Sequence, residues 1–214
     1  MKRILCFGDS NAWGHIPASG YRYPYEVRWP GVAAGILGND YQIIEDSISG
    51  RTTIFEDANS SRRCGLDCLG YSLLAHLPVD LIILALGTND LKFTDPEGSR
   101  TGLEMLVNAI FHAQELYDLP SPLFLGEPKL LLIGPPAIAP EIEQLRPGHS
   151  LAHAAKESLL LPEMCHLVAE KNNAWFLDAS QYVYPSLLDC LHLTEEGHHN
   201  LGVAIAQKIK EIFA

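Results

Sequence analysis

The segment Arg3-Ile4-Leu5-Cys6-Phe7-Gly8-Asp9-Ser10 is a short apolar run that ends in a Gly-Asp turn and a serine. Apolar side chains at consecutive positions are typical of a strand that is covered on both faces, as the strands of parallel sheets are. Further β-rich runs of this kind follow along the chain, at Tyr41 to Glu45, Leu81 to Leu86, Lys129 to Ile133 and Ala174 to Leu177. With Arg3 to Phe7 as the first, we predict a sheet of five parallel strands.

Helical patterns lie between these runs, which gives the alternation of strand and helix typical of an α/β fold. The predicted helices lie near Pro30 to Leu37, Leu66 to His76, Arg100 to Leu119, Ala152 to Lys171 and Glu195 to Ile212. Apolar residues at helical spacing would dock the last helix on the sheet, namely Leu201, Ile205, Ile209 and Ile212. We interpret the Pro-rich stretches Leu119 to Pro128 and Gly134 to Pro147 as loops over the ligand-binding edge of the sheet or as a subunit contact.

The length and the net charge of the chain limit the number of domains and the classes of partner that we expect. The chain has 214 residues, of which 47% are hydrophobic, and is long enough to bury about two-thirds of its unfolded surface in one domain. We therefore predict a single domain over residues 1–214. The formal net charge of -11 opposes attraction to nucleic acid and to anionic membranes, so we expect neither partner.

The N-terminal residues and the cysteines indicate a compartment. The segment Met1 to Phe7 leaves no room for a secretory signal before the Gly-Asp turn, and no apolar stretch approaches the ~18 residues of a membrane span. The five cysteines include no Cys-x-x-Cys pair. Reduced thiols in a soluble, cytoplasmic protein are therefore the expectation.

Four short clusters carry the residues that point to chemistry. They are Phe7-Gly8-Asp9-Ser10, Ser49-Gly50, Gly87-Thr88-Asn89-Asp90 and Asp189-Cys190-Leu191-His192. Three of them follow predicted strands, and ligands of doubly wound sheets bind at the carboxyl ends of the strands. We therefore predict that the clusters share one site, in which they supply a nucleophile, oxyanion donors and a base oriented by an acid.

Ser10 is the predicted nucleophile, because it follows the first strand and opens a helical turn whose backbone N–H groups favour a developing negative charge. Read alone, Ser10 could instead be the N-cap of that helix. Asp9 is expected to bind backbone groups of the turn or to cap the same segment, without a chemical role.

His192 is the predicted base, since a serine hydroxyl needs a group within hydrogen-bond reach that titrates near neutral pH. Asp189 lies one turn before it and can accept a bond from the imidazole Nδ1, which would fix the tautomer. A capping or surface pair is the alternative for this spacing. Asp178, at the end of the fifth predicted strand, is a rival for the orienting acid, although it suits a strand-end cap better.

Gly50 and Asn89 are the predicted oxyanion donors, together with the backbone N–H of Ser10. Glycine lets the backbone approach a substrate closely, and an asparagine amide can donate from the end of the third strand. The alternatives are a turn glycine and an asparagine that stabilises its own loop.

These clusters, in this order, resemble the blocks of the SGNH hydrolases, also called GDSL-type esterases and lipases, over nearly the whole chain. The resemblance implies a three-layer α/β/α sandwich of flavodoxin-like topology, with a catalytic triad of Ser10, Asp189 and His192 and an oxyanion hole of Ser10, Gly50 and Asn89. It implies no cofactor and no metal. The segments Trp13-Gly14 and Val27-Arg28-Trp29 are most similar to the bacterial arylesterase and acyltransferase branch, whose members favour short acyl esters and often form oligomers.

Two departures from that branch concern substrate preference. Asn11 replaces the leucine that usually follows the serine, and His15 stands where a tryptophan is usual. Asn11 could face a hydroxylated alcohol such as an acetylated sugar, or it could bond the neighbouring loop and never meet substrate.

The expected reaction is hydrolysis of short-chain esters through an acyl-enzyme on Ser10, with acyl transfer to alcohols if the pocket is dry. Predicted pocket residues are Asn11, Trp13, Phe55, Phe93 and Ile138. Two alternatives remain: a carbohydrate O-deacetylase of the same fold, and a non-catalytic flavodoxin-like module that binds phosphate or flavin at the first helix. The second leaves Asp189 and His192 without a role.

Histidines and arginines outside the four clusters are not predicted to form a metal site or an anion site. His198 and His199 are adjacent in a helix and so point about 100° apart, which opposes a shared metal ion with His192. Arg51, Arg62 and Arg63 could hold an anionic substrate group, but we interpret them as solvated loop charges.

Overall fold

The computed structural model describes residues 1–58 and 60–214, and a parallel sheet of five strands forms its centre. The strands are β1 (Lys2–Gly8), β2 (Tyr41–Ser47), β3 (Leu81–Ala85), β4 (Leu130–Gly134) and β5 (Trp175–Asp178), in the spatial order β2-β1-β3-β4-β5. Each strand lies within two residues of its predicted bounds. The predicted fold class, a five-stranded parallel sheet between helices, is confirmed.

The helices of the described residues vary widely in length. They are α1 (Ser10–Trp13), α2 (Trp29–Leu37), α3 (Gly65–His76), α4 (Pro96–Phe111), α5 (Ala113–Leu116), α6 (Ile142–Leu145), α7 (Ala155–Ser158), α8 (Leu161–Lys171) and α9 (Glu195–Ile212). Short 3₁₀ segments lie at Gly38–Asp40, Thr88–Lys92 and Ala179–Gln181. None of the described helices combines the length and the apolar character that a membrane crossing requires.

Two of the predicted helices are wrong in extent. The one over Arg100 to Leu119 begins earlier, at Pro96, because the side chain of Asp95 caps it by accepting a bond from the Gly98 N–H, and it divides into α4 and α5. The one over Ala152 to Lys171 divides into α7 and α8. Pro162 lies in the first turn of α8, where a residue without an N–H is tolerated and the helix starts afresh.

Each face of the sheet has its own apolar core, because successive side chains of a strand point to opposite faces. Ile4 and Cys6 of β1 belong to the core shared with α2 and α9. Leu5 and Phe7 belong to the core shared with α3, α4 and α8. A third buried cluster, which includes Ile138, lies among the loops that contain Leu91 and Cys190.

The two Pro-rich stretches lie at opposite edges of the sheet. In Gly134 to Pro147, the Ala139 N–H donates to the Cys190 carbonyl, so this stretch does lie over the edge that carries the site, and it contains α6. The stretch Leu119 to Pro128 instead pairs with Val79, just before β3 begins. Its predicted place over the ligand-binding edge is therefore wrong.

Candidate active site

One cavity of about 150 Å³ lies at the carboxyl edge of the sheet, and it brings residues from all four sequence clusters together. Ser10 follows β1, Gly50 follows β2, Asn89 follows β3, and His192 precedes α9. The described residues that line the cavity are Asp9, Ser10, Asn11, Ser49, Gly50, Thr88, Asn89, Lys92, His149, Leu151, Leu191 and His192. The predicted convergence of the clusters is confirmed.

Ser10 is the first residue of α1 and is 8% exposed. The N-cap of this helix is Asp9, whose side chain accepts a bond of 3.0 Å from the Asn11 N–H. The alternative reading of Ser10 as the N-cap is therefore wrong, and the expected capping role of Asp9 is confirmed. Burial raises the pKa of Asp9 to about 6, although its hydrogen bond from Asn11 and the positive charges nearby oppose that shift.

Asp189 and His192 form the predicted pair. The His192 Nδ1 lies 2.8 Å from Asp189 Oδ2, and the N–H groups of His192 and Ala18 donate to the same carboxylate at 3.0 and 2.9 Å. Burial by itself raises the pKa of Asp189, but these bonds and the nearby imidazole outweigh it and hold the pKa well below its usual range. The carboxylate is therefore charged, and it fixes the imidazole with Nδ1 as its donor.

Asp178, the rival acid, lies elsewhere. It ends β5, and its carboxylate accepts bonds from the Ser180 N–H at 2.9 Å and from the Gln181 side chain at 3.0 Å. It is the strand-end cap that the sequence favoured.

His15 stacks on the catalytic candidate His192, with 4.0 Å between ring centroids and 28° between planes. Burial, and then the charge of His192, lower the pKa of His15 to about 4. A neutral imidazole therefore packs against the predicted base, at the position where the resemblance led us to expect tryptophan.

Side chains that could ligate a metal approach each other at two places in the described part of the chain. These groups are His15, Asp189 and His192, and Glu56, Cys64 and Asp67, with ligand atoms within 4.8 Å of one another. In the first group the Asp189–His192 bond already uses one atom of each partner. The contacts of the first group thus favour an acid-oriented base over a metal centre.

The two predicted oxyanion donors lie beside each other. Gly50 has φ +83°, a left-handed conformation that favours glycine, as a turn glycine also requires, and its role as an oxyanion donor stays a prediction. The Asn89 side chain donates one amide hydrogen to the carbonyl of Arg51, the residue after Gly50, at 3.2 Å. Because an amide nitrogen has two hydrogens, one remains for an oxyanion in the cavity.

Asp90, to which the sequence analysis gave no separate role, joins the loops that carry these donors. Its buried carboxylate accepts bonds from the Thr53 N–H at 2.7 Å, the Thr53 hydroxyl at 2.8 Å and the Ser99 hydroxyl at 2.8 Å. Burial raises the pKa of Asp90 to about 6 in spite of these bonds. The loop after β2 is thereby fixed to the loop after β3.

Asn11 connects the segment of the nucleophile to that of the base. Its amide nitrogen donates to the Leu191 carbonyl at 3.2 Å, and its amide oxygen accepts from the Leu193 N–H at 3.1 Å. The two bonds flank His192 in sequence. Of the two interpretations of Asn11, the bond to the neighbouring loop is the one observed, although Asn11 also lines the cavity as predicted.

The other four predicted pocket residues do not line the cavity. The Arg22 guanidinium lies over Trp13, with its Cζ 5.2 Å from the centroid of the indole ring. Phe55 and Phe93 stack on each other, with 6.0 Å between their ring centroids. Ile138 is 2% exposed within the third apolar cluster. These four side chains contact other residues instead of forming the wall of the cavity.

The walls that the sequence analysis missed are Ser49, Thr88, Lys92, His149 and Leu151. Lys92 had a usable signal: residues three apart share a face of a 3₁₀ helix, and Lys92 is three after Asn89 in Thr88–Lys92. His149 and Leu151 come from a loop with no motif.

Two plainer interpretations can also be compared with the structure. Arg51 is 3% exposed and donates to the Gly8 and Asp46 carbonyls, so the prediction of a solvated loop charge is wrong for it. His198 is buried and accepts from the Trp29 N–H at 3.3 Å, whereas His199 is exposed, as their predicted divergence requires.

Comparison with known proteins places this geometry in a family. The sequence profile of the GDSL-like Lipase/Acylhydrolase family matches residues 6–199. The native aryl esterase of M. smegmatis is 32% identical, with a TM-score of 0.87 over 99% of either chain. Est24, a carbohydrate acetylesterase from Sinorhizobium meliloti, is 34% identical, with a TM-score of 0.87 over 99% of this chain and 100% of that one.

Another carbohydrate acetylesterase family member from Sinorhizobium meliloti is 28% identical, with a TM-score of 0.88 and 99% of each chain covered. A search of curated proteins gave no match.

Proposed function

Because the chain belongs to the GDSL-like lipase/acylhydrolase family and is a carboxylic ester hydrolase, we propose that it cleaves short-chain esters through an acyl-enzyme on Ser10. The observation that carries this proposal is one cavity lined by both Ser10 and His192, with His192 oriented by a charged Asp189. Membership of an acylhydrolase family disfavours the alternative of a non-catalytic flavodoxin-like module.

His192 acts first as base and then as acid. It takes the Ser10 proton on Nε2 while the serine oxygen attacks the ester carbonyl carbon, and Asp189 stabilises the imidazolium that forms. As the tetrahedral intermediate collapses, His192 returns the proton to the departing alcohol. Water then attacks the acyl-enzyme in the same way and releases the acid.

The oxyanion of each tetrahedral intermediate lies among the N–H groups of Ser10 and Gly50 and the free amide hydrogen of Asn89. These donors are already fixed before substrate binds, Asn89 by its bond to Arg51 and Gly50 by its turn. Such preorganised donors act on the charge that develops in the transition state.

The size of the cavity supports a short acyl group. A volume of about 150 Å³ is below the ~300 Å³ at which pockets for drug-sized ligands begin. Its lining is largely polar, with Leu151 and Leu191 as its aliphatic members. This polarity favours water over a bulky alcohol as the acyl acceptor.

The same polar lining supports a second candidate, a carbohydrate O-deacetylase, because acetylated sugars present hydroxyl groups. The two candidates separate in a panel of aryl acetates, aryl butyrates and octanoates, and acetylated sugars, with acetate release as the common readout for the acetyl esters. Aryl acetates turned over faster than aryl octanoates support the short acyl group. Acetylated sugars turned over far faster than aryl acetates would assign the deacetylase.

The nucleophile is tested in the same panel with Ser10→Ala, with Ser19→Ala on an exposed turn as the matched control. We expect Ser10→Ala to lose all ester turnover and Ser19→Ala to keep the turnover of wild type. Equal activity of Ser10→Ala and wild type would contradict the proposed mechanism.

A further inference from the structure

Lys92 stands out among the residues that line the cavity. It lies on the same 3₁₀ segment as Asn89, three residues later, and therefore on the same face. Of the twelve described lining residues, it is the one lysine or arginine. A cationic side chain thus borders the place where the ester must lie, in a protein whose formal net charge is -11.

The ammonium of Lys92 is only loosely paired. Its side chain is 16% exposed, and the carboxylate within ion-pairing distance among the described residues, that of Asp57, lies 3.9 Å away. Burial lowers the pKa of Lys92, and the negative charges of Asp57, Asp9 and Asp90 oppose that shift while Arg63 adds to it. An ammonium has three donors, so Lys92 retains donors for a ligand.

Thr88 supplies a second, independent observation. Thr88 lines the same cavity, and its side-chain oxygen is buried and has no hydrogen-bond partner among the described residues. A buried hydroxyl without a partner carries a free-energy cost that a bound acceptor would remove. The hydroxyl and the ammonium come from the two ends of one short segment, Thr88–Lys92.

Arg63 places a further positive charge near Gly50. Its Nε lies 3.7 Å from the position that a Cβ on Gly50 would occupy. Among the described residues, no carboxylate lies within 4.0 Å of its guanidinium nitrogens. The positive charges of Lys92 and Arg63 favour a negatively charged group on the substrate over a neutral one.

We propose that Thr88 and Lys92 form a subsite for a carboxylate on the ester substrate, so that the enzyme prefers esters of carboxylated alcohols or phenols. This inference rests on the proposed esterase function. A carboxylate would accept one bond from the Thr88 hydroxyl and one from the Lys92 ammonium, while Ser10 attacks the ester carbonyl of the same molecule.

The test compares two acetate esters of similar shape, 4-acetoxybenzoate, which carries a carboxylate, and methyl 4-acetoxybenzoate, which does not. The quantity measured is the ratio of their kcat/KM values within each protein, so a general effect of a substitution on the site cancels. We expect Lys92→Met to lower this ratio about tenfold or more, as loss of a charged hydrogen bond does. Thr88→Val should lower it as well, and Lys92→Arg should restore most of it.

Lys210→Met is the control, because it removes one positive charge from the exposed end of α9. Its ratio should equal that of wild type. An equal fall in Lys210→Met and Lys92→Met would show general electrostatic attraction and overturn the subsite. Equal ratios in wild type, Lys92→Met and Thr88→Val would also overturn it, and Thr88→Val keeps the test decisive if Lys92→Met does not fold.

The outcomes separate this inference from the proposed function. If both esters are hydrolysed by wild type but their ratio does not respond to Lys92, the subsite fails and the esterase stands. If wild type hydrolyses neither these nor simple aryl acetates, the proposed function fails, and the subsite fails with it.

Discussion

The Asn89 side chain is oriented by one hydrogen bond and retains a second amide hydrogen as a donor. One of its amide hydrogens binds the Arg51 carbonyl, which orients the side chain, and the other is left for an oxyanion. The proposed roles of the other site residues also depend on local geometry, such as the left-handed backbone of Gly50 and the bond between Asp189 and His192. The chemistry that this site can perform therefore depends on the contacts of single residues.

Asn89→Ala should lower kcat by about a hundredfold or more, since loss of one oxyanion donor costs about 3 kcal/mol in the barrier. The measurement is kcat for an aryl acetate, with circular dichroism as the check on the fold. Asn200→Ala, on an exposed turn of α9, is the matched control and should retain wild-type kcat. A wild-type kcat in Asn89→Ala would refute the role of its amide.

Asn11→Leu breaks both bonds from Asn11 to the loop of His192. We expect kcat to fall about tenfold, and the free energy of unfolding to fall by about 1 to 3 kcal/mol, because the Leu191 carbonyl and the Leu193 N–H lose their partner. Aryl acetate kinetics and urea unfolding measure the two effects. If Asn11→Leu matches wild type in both, Asn11 does not position the base.

The residues of the candidate site could be predicted from the sequence because each lies in a short cluster whose geometry is local. Asp189 and His192 are three residues apart, and their bond needs only one turn of chain. The cavity walls could not be predicted in this way. His149 reaches the cavity from a distant loop, and Phe93 turns to stack on Phe55 while Lys92 beside it lines the site.

At the scale of elements, α2 and α9 pack closely on one face of the sheet. A Cβ added at Gly202 of α9 would lie 2.7 Å from the Val32 side chain and 3.0 Å from the Trp29 carbonyl oxygen. The approach holds α9, and with it the loop of His192 that precedes this helix, against the sheet.

Gly202→Ala should therefore destabilise the protein by about 1 kcal/mol or more, since the cost of overpacking exceeds the gain in helix propensity. Gly35→Ala is the matched control in α2, where an added Cβ meets nothing within 4 Å. It should stabilise the protein by about 0.5 to 1 kcal/mol. Urea unfolding measures both variants, and a stabilised Gly202→Ala would contradict close packing of the two helices.

The extent of the elements shows what the pattern of residues can and cannot predict. Strand bounds follow from runs of apolar residues, and the whole of α9 follows from its periodicity, with Thr194 as its cap. The breaks between α4 and α5 and between α7 and α8 do not follow, because residues near His112 and Leu160 keep a helical pattern where the helices end or begin.

At the scale of the whole molecule, stability depends on pH through the buried imidazole of His198. His198 is buried between α9 and the start of α2, and its Nδ1 accepts the Trp29 N–H. Burial, with the positive charges of His192 and Arg28, lowers the pKa of His198 to about 4. Its neutral form therefore supports the fold, and its protonated form opposes it.

Because the unfolded chain takes up this proton near its usual pKa of 6.5, the stability that His198 contributes is complete above that pH and is lost as the pH falls toward 4. His198→Asn keeps an acceptor for the Trp29 N–H but cannot titrate. Relative to wild type it should gain up to about 3 kcal/mol between pH 7 and 4. His199→Asn, on the exposed side, is the control, and parallel curves for wild type and His198→Asn in urea unfolding would contradict the assignment.

Labelling with a fluorophosphonate, followed by peptide mapping, tests the central claim most directly. The account predicts one adduct, on the peptide that contains Ser10, with labelling reduced at least a hundredfold in His192→Ala and abolished in Ser10→Ala. An adduct on another residue, or unchanged labelling in Ser10→Ala, would contradict it.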